Sequence, residues 1–356
     1  MRPESEADVA SVIRSARESL SIAGGATRLR PGEGQGARLD MRGLTGVVLY
    51  EPEALTLVVR AGTPLDEVAT VLKAENQMLG FEPDHRPGST IGGVVAANAS
   101  GPRRVLVNAC RDALIGVRFV DGAGEVIKNG GRVMKNVTGY DLVKLMAGSR
   151  GRLGALTEVA FKTTPIPPSR ATLRLSGLNA AQAVEAMTVA LGGPFDVSGA
   201  GILPTGETVL RLEGLAGSVE ARAATLVTRL ARFGDVETVE GDADFAALRD
   251  AGAAMAAQAG KGAVWRIVLR PSQAGALIAT LPGRLAVDWG GALIWAEAPD
   301  AWRPDLPTGA IAERVAGAAP LHLPAMAPAI AALNDGVARR FDPRGLFGSS
   351  ARGVAA

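Results

Sequence analysis

Three glycine-rich clusters are the residues of this chain best suited to do chemistry. The first is Ala23-Gly24-Gly25-Ala26-Thr27, the second Gly88-Ser89-Thr90-Ile91-Gly92-Gly93, and the third runs from Lys135 to Pro165 with Gly139, Gly148, Gly151 and Gly154. Glycine lets a backbone turn tightly and approach a ligand closely. Successive amides in a turn form a concave anion site. The chemistry is the holding of a large, pyrophosphate-containing ligand by main-chain groups. Gly24, Gly25, Ala26 and Thr27 would supply one side of such a site; Ser89, Thr90 and the amides near Gly92 would supply the other. Each cluster by itself is also an ordinary loop in a chain with 45 glycines, and only the combination carries weight. The first cluster lacks the G-x-G-x-x-G spacing and a strand–helix unit around it, and no G-x-x-x-x-G-K-[ST] occurs. A Rossmann nicotinamide site and a P-loop are therefore set aside.

Side chains that titrate are few. The chain has 2 histidines, His85 and His322. His85 precedes the second cluster, where it would lie near a bound ligand or simply be a solvated loop residue. His322, between prolines, reads as structural. Tyr140 and Asp141 are polar groups next to the third cluster, and helix capping is the better account of Asp141. Arg103 and Arg104 read equally as partners for phosphate or a partner protein's carboxylates and as a solvated surface pair. Arg211, Arg266 and Arg270 are further cations suited to a substrate carboxylate. The 4 tryptophans, Trp265, Trp289, Trp295 and Trp302, read as sheet packing.

Composition narrows the classes. The 356 residues suffice for two domains, and 47% apolar content supports a large core. A net charge of +2, from 38 basic and 36 acidic residues, argues against nucleic acid as the main partner. The single cysteine, Cys110, cannot hold an iron–sulfur cluster, which usually needs about four thiolates. It reads as a small residue near a strand start. The amino-terminal stretch has no apolar core of signal-peptide length, and no run of about 18 apolar residues occurs. The expectation is a cytoplasmic chain without direct membrane insertion.

Elements must position the clusters. Residues 5 to 20 fit an amphipathic helix with Val9, Val12, Ile13, Ala16 and Leu20 on one face and Ser5 with Asp8 as a capping pair. Ser21 to Ala23 is a short strand entering the first cluster. Thr45 to Tyr50 and Leu55 to Arg60 are strands, and a helix opens at about Leu65 after Pro64. Ile115 to Asp121 and Glu125 to Lys128 form a hairpin-like pair. Asp141 to Ala147 is a short helix, and Leu156 to Thr163 a strand of alternating polarity. Pro165, Pro167 and Pro168 mark a domain boundary. Beyond it, strand, helix, strand, strand, helix and strand fall in order from Ala171 to Val239, which is the ferredoxin-like pattern. Residues 264 to 297 begin a second, degenerate copy. Ala325 to Phe341 is a final helix. The expected domains are 1–165, 170–325 and a returning carboxy-terminal piece, 326–356.

These segments carry a resemblance. AGGATRL, RPGSTIGGVVAANASGPRR, RDALIGVRFVDGAGEVIKNGG, VMKNVTGYDLVKLMAGSRGRLGALTEVAFKTTP and the closing FDPRGLF together resemble the FAD-binding family of the vanillyl-alcohol-oxidase, or PCMH, type. Within it they are most similar to the FAD-binding subunits of bacterial glycolate oxidase. The resemblance covers most of residues 5 to 165 and the last helix. It implies an α+β protein: a two-lobed PCMH-type FAD-binding domain plus a ferredoxin-like α+β cap.

Carried over by position, the resemblance places Gly24, Gly25, Ala26, Thr27 and Arg28 on the pyrophosphate. It places Pro87, Gly88, Ser89, Thr90, Gly92 and Gly93 near the flavin ring, with Asn98, Ser100 and Gly101 in the next stretch. Gly148, Gly151, Gly154 and Leu156 would hold the ribityl and adenosine parts. At Ala26 the family often has a third glycine, so a Cβ must fit there. Some relatives attach flavin through a histidine in the first loop; none stands between Ala23 and Arg30, so the FAD is expected to be non-covalent. The catalytic residues are left unassigned, and no metal is expected.

The resemblance further implies a sister FAD-binding catalytic subunit, an iron–sulfur subunit and a small 2-hydroxy acid, glycolate, as substrate. Membrane contact would come only through that complex. The alternatives are a self-sufficient flavin-dependent 2-hydroxy-acid dehydrogenase and a structural subunit with a vestigial flavin site.

Overall fold

The computed structural model describes residues 1–30, 32–131, 139–318 and 327–348. His322 and residues 132–138 of the third cluster's approach lie outside the described residues. The chain divides into two compact units: 1–99, 109–166 and 325–356 form the first, and 100–108 with 167–324 the second.

The first unit opens with α1 (Glu6–Ser15). Ser5 caps it: its hydroxyl accepts from Asp8 N at 3.1 Å, and Asp8 accepts from Ser5 N at 3.0 Å. The apolar face of α1 buries Val9, Ala10 and Ile13. The helix ends before Leu20, which instead begins β1 (Leu20–Ala23) and pairs in parallel with Ala37 of β2 (Ala37–Asp40). Helical spacing carried Leu20 one element too far, because a strand partner in β2 outweighs a helix extended past Ala16, which already has extended backbone.

Then come β3 (Val47–Glu51), β4 (Thr56–Arg60), α2 (Leu65–Ala74), β5 (Gln77–Met78) and α3 (Ile91–Ala97). After α3 the chain supplies α4 (Arg104–Val107) to the second unit and returns with α5 (Cys110–Ala113), β6 (Leu114–Val120), β7 (Val126–Gly130), α6 (Leu142–Met146), β8 (Ala155–Lys162) and β9 (Thr164–Pro165). An antiparallel sheet of order β3-β4-β8-β6-β7 forms its centre. β8 is buried at six of its positions on alternating and adjacent residues alike, with only Glu158 and Lys162 outside that class. It is thus covered on both faces, which alternation alone does not reveal. Leu57, Val59, Val94, Phe119, Val159 and Phe161 meet in its core.

The second unit contains β10 (Ser169–Leu175), α7 (Ala180–Leu191), β11 (Val197–Ile202), β12 (Thr208–Gly214), α8 (Ala216–Leu230), β13 (Val236–Val239), α9 (Ala243–Gln258), β14 (Ala263–Val268), α10 (Pro271–Ile278), β15 (Leu285–Asp288), β16 (Leu293–Ala298) and β17 (Ile311–Ala316). The sheet order is β13-β10-β12-β11-β15-β16-β14-β17. Its first half is the ferredoxin-like 4-1-3-2 arrangement. Its second half is the same order reversed, with a loop where the second helix would stand. The halves join edge to edge where Ile202 faces Val287. The second copy is therefore longer than residues 264–297, since β17 completes it, and α9 bridges the two copies. α9 has little amphipathic signal because it is rich in alanine, yet it covers the sheet with Phe245, Leu248 and Met255.

The last helix, α11 (Pro328–Phe341), belongs to the first unit. Phe341 packs on Phe119 with ring centroids 5.9 Å apart. The FDPRGLF ending then has a local explanation. Asp342 accepts from Leu346 N at 2.9 Å and Phe347 N at 2.8 Å, and Arg344 donates to the carbonyls of Gly122 and Arg14 at 3.2 and 3.1 Å. Among the described residues no helix is long and apolar enough to cross a membrane.

Candidate functional site

The first glycine cluster follows β1 directly, and the second leads into α3. The two loops touch. A Cβ on Gly24 would fall 2.1 Å from Thr90 Oγ1, and one on Gly25 1.8 Å from Gly88 O. Arg28 binds the loops together: Nη1 donates to the Ser89 hydroxyl, and Nη2 donates to Asp84 O and Asp84 Oδ1, both at 2.7 Å. Arg86 donates to Thr27 O at 2.8 Å and also pairs with Asp84. Burial acts to raise the Asp84 carboxyl pKa, but the charges of Arg28 and Arg86 override it and hold the group below the usual carboxylate range.

Around these loops lies a cleft of about 700 Å³, counted to its open mouth. It is lined by Gly24, Gly25, Ala26, Thr27, Arg28, Thr90, Gly92, Gly93, Gly151, Gly154 and Leu156 from the sequence reading. Ile22, Ala23, Leu29, Glu33, Met41, Ala61, Ala96, Ala97 and Arg150 join them. The third cluster reaches the cleft because Gly148 N donates to Val95 O at 3.0 Å and Arg150 N to Ala96 O at 2.9 Å. Gly148, Gly151 and Gly154 have φ of 88°, 76° and 155°, where glycine is at ease.

The other candidates lie elsewhere. Pro87 and Gly88 are exposed, Ser89 is buried under Arg28, and Asn98 closes α3 in a left-handed conformation; none of them lines the cleft, and neither does Gly148. Ser100 and Gly101 belong to the second unit, where Gly101 O accepts from Trp289 Nε1 at 3.1 Å. His85 pairs with Asp66 at 3.0 Å on exposed surface. Tyr140 is 90% exposed, and Asp141 caps α6 through Lys144 N at 3.1 Å. Cys110 is fully buried, and burial pushes its thiol pKa up, so it is unreactive.

Arg103, Arg104, Arg211 and Arg266 have partners within the second unit. Arg103 is no surface residue: it is buried and ion-paired with Glu213. Arg104 stacks 4.2 Å from the Trp289 ring centroid. Arg211 is 1% exposed and pairs with Asp242 and Glu213. Arg266 lies beside Trp289, Trp295 and Glu313.

Hydrogen bonding separates the two loops chemically. In the second loop, Ser89 N, Ile91 N and Gly92 N are taken by Arg86 O, Thr63 O and Ala61 O, and Gly93 N by Thr90 Oγ1. The amides near Gly92 are therefore spent on the fold rather than offered to a ligand. In the first loop no hydrogen bond within the described residues engages the N–H groups of Gly25, Ala26, Thr27 or Arg28. Ala26 has φ 57°, the left-handed backbone at which successive amides come to face one concave side. Free amides, a small-residue wall and a cleft of this volume fit a dinucleotide with a diphosphate.

Comparison with known proteins agrees. The FAD binding domain family matches residues 1–130. Glycolate oxidase subunit GlcE of Escherichia coli (strain K12) is 38% identical over 75% of this chain and 71% of its own length. The chain belongs to the FAD-binding family of glycolate oxidase subunit GlcE. FAD is the cofactor of this family. Glycolate oxidase subunit GlcD of Bacillus subtilis (strain 168) is 30% identical over 60% of this chain, and the match spans 45% of that longer protein. D-lactate dehydrogenase of Anaerostipes hadrus is 34% identical over 46% of the chain and 35% of its own length. Alkyldihydroxyacetonephosphate synthase superposes with a TM-score of 0.66 over 97% of this chain and 74% of its own, at 14% identity, which speaks to fold alone. The family's fold is the expected α+β one: a PCMH-type FAD-binding unit and a second unit built on ferredoxin-like strand order.

Proposed function

We propose that the chain is the FAD-binding subunit of a multi-subunit glycolate oxidase, which oxidises glycolate to glyoxylate and passes electrons to an iron–sulfur partner. One observation carries this reading. Gly25 to Arg28, whose amides have no hydrogen-bond partner among the described residues, line a glycine-walled cleft in a chain of the GlcE family. When bound, FAD supplies acceptance of the two electrons that a 2-hydroxy acid releases on oxidation. This chain's residues bind and orient it. Gly24 to Arg28 hold the diphosphate, Thr90, Gly92 and Gly93 form a close wall, and Gly151, Gly154 and Leu156 flank the remainder. Attachment is non-covalent, because no histidine stands in the first loop.

The chain is not sufficient alone. Base catalysis needs a positioned group within hydrogen-bond reach of the substrate proton, and the charged side chains that line this cleft are two arginines and one carboxylate, with Arg28 paired to Asp84 and Glu33 to Arg150. Arg211, suited by type to a substrate carboxylate, is held in buried ion pairs instead. A sister FAD-binding subunit would hold the substrate, and a cysteine-rich subunit would carry the clusters that one cysteine cannot.

Purification of the chain alone tests this. Acid precipitation should release yellow flavin to the supernatant, and anaerobic glycolate should leave the bound flavin oxidised. Co-expression with the sister flavoprotein and the cysteine-rich partner should restore turnover. Flavin retained in the pellet would overturn non-covalent attachment. Prompt bleaching by glycolate would replace this reading with a self-sufficient 2-hydroxy-acid dehydrogenase.

A further inference from the structure

Glu33 and Arg150 are far apart in sequence and meet at the cleft wall. Arg150 Nε donates to Glu33 Oε1 and Nη2 to Glu33 Oε2, both at 2.7 Å. Arg150 Nη2 also donates to Arg28 O at 2.7 Å. That contact sets the guanidinium against the end of the loop whose amides are unpartnered. The Arg150 side chain is 13% exposed and that of Glu33 24%.

We propose that Arg150 is a diphosphate-binding side chain of the cofactor site, and that Glu33 is its resident counter-ion, displaced when the dinucleotide binds. The inference rests on the reading of the cleft as the FAD site and deepens it. Arg28, the other cation of the wall, is fixed by Asp84 and Ser89 and serves as a brace. Arg150 has as its carboxylate partner a residue that itself lines the cleft.

A guanidinium fork fits a carboxylate and a phosphate with the same two-pronged geometry, so the two acceptors compete. The diphosphate brings more charge and also meets the free amides. Arg150 is held in place for this exchange by its left-handed backbone, φ 55°, and its amide bond to Ala96 O. On leaving, Glu33 also gives up the hydrogen bond that the Arg30 amide donates to its Oε2 at 2.9 Å. Glu33 stands between Gly32 and Gly34, whose φ are 84° and 82°, and a Cβ at Gly32 would meet nothing within 4 Å.

The test is binding of FAD, ADP and riboflavin to full-length apoprotein, wild type against R150Q, R150K and E33Q, at two salt concentrations. R150Q should weaken FAD and ADP by about tenfold or more, leave riboflavin unchanged, and flatten the salt dependence. R150K, which keeps the charge and loses the fork, should lie between; it decides the matter if R150Q does not fold. E33Q should tighten FAD and ADP. Wild-type affinity in both Arg150 variants would overturn the proposal, as would an E33Q variant that loses FAD as R150Q does, since the pair would then be a brace. Failure of the wild type to bind FAD at all would overturn the cofactor-site reading, and this inference with it.

Discussion

Gly25 lies so close to Gly88 that a Cβ on Gly25 would sit 1.8 Å from the Gly88 carbonyl oxygen. Real Cβ atoms do not approach backbone oxygen that closely, so no alanine fits without moving a loop. The glycines of the first cluster thus serve the docking of one loop on another before they serve any ligand. The cleft has its shape because that docking is tight.

Gly25→Ala should therefore cost about 2 kcal/mol or more of stability and empty the purified protein of flavin. Gly88→Ala is the control. A Cβ there meets nothing within 4 Å, and only the left-handed strain at φ 76° is incurred, about 1 kcal/mol. Urea unfolding and flavin content should separate the two variants; equal behaviour would contradict the loop contact.

Ala26 adopts φ 57°, where an L residue costs roughly 1–2 kcal/mol. Glycine relieves that strain but makes the unfolded chain looser by about 0.4–1 kcal/mol. Ala26→Gly should leave stability unchanged or raise it by up to about 1 kcal/mol, and Ala26→Val should lower it. A clear loss of stability in Ala26→Gly, measured by urea unfolding, would show that the backbone at this position is not left-handed.

Glu213 is a buried anion of the second unit, beside Arg103, Arg170 and Arg211. Glu213→Gln should destabilise that unit by about 3 kcal/mol, because it leaves buried guanidinium groups short of counter-charge. Asp242→Asn should cost less, since the Asp242 side chain is 37% exposed. All 4 tryptophans lie within the second unit, so tryptophan fluorescence during thermal unfolding reads this unit alone.

Asp84 gives a pH signature. Its folded-state pKa lies below its unfolded value, so its contribution is complete above the ordinary carboxylate range, about 4, and fades as pH falls through the lowered folded value. The stability difference between wild type and Asp84→Asn should thus be largest near neutral pH and shrink below about pH 4. Urea unfolding of both proteins at pH 7 and pH 3.5 checks it. A gap that widens in acid would mean that Arg28 and Arg86 do not govern the carboxyl.

What the sequence determined by itself is local. Ser5 and Asp8 announce the start of α1 because a capping box closes within one turn. The order of strands and helices from Ala171 to Val239 announces ferredoxin-like pairing, because short connections leave few other ways to bury each face. The glycine clusters mark turns, since glycine readily takes the left-handed backbone of Gly88, Gly148 and Gly151.

Tertiary structure decided the rest, by bringing together groups with no sequence relation. Arg103 looked like a loop cation next to Arg104; burial beside Glu213, far along the chain, made it part of a core. Glu33 carried no signal until Arg150 came within hydrogen-bond reach. The amides near Gly92 looked available and are spent on Ala61 and Thr90, whereas those of Gly25 to Arg28 are left open. Hydrogen-bond satisfaction is settled only when every neighbour is in place, so a one-dimensional pattern reveals where a loop turns but not which of its donors remain for a ligand.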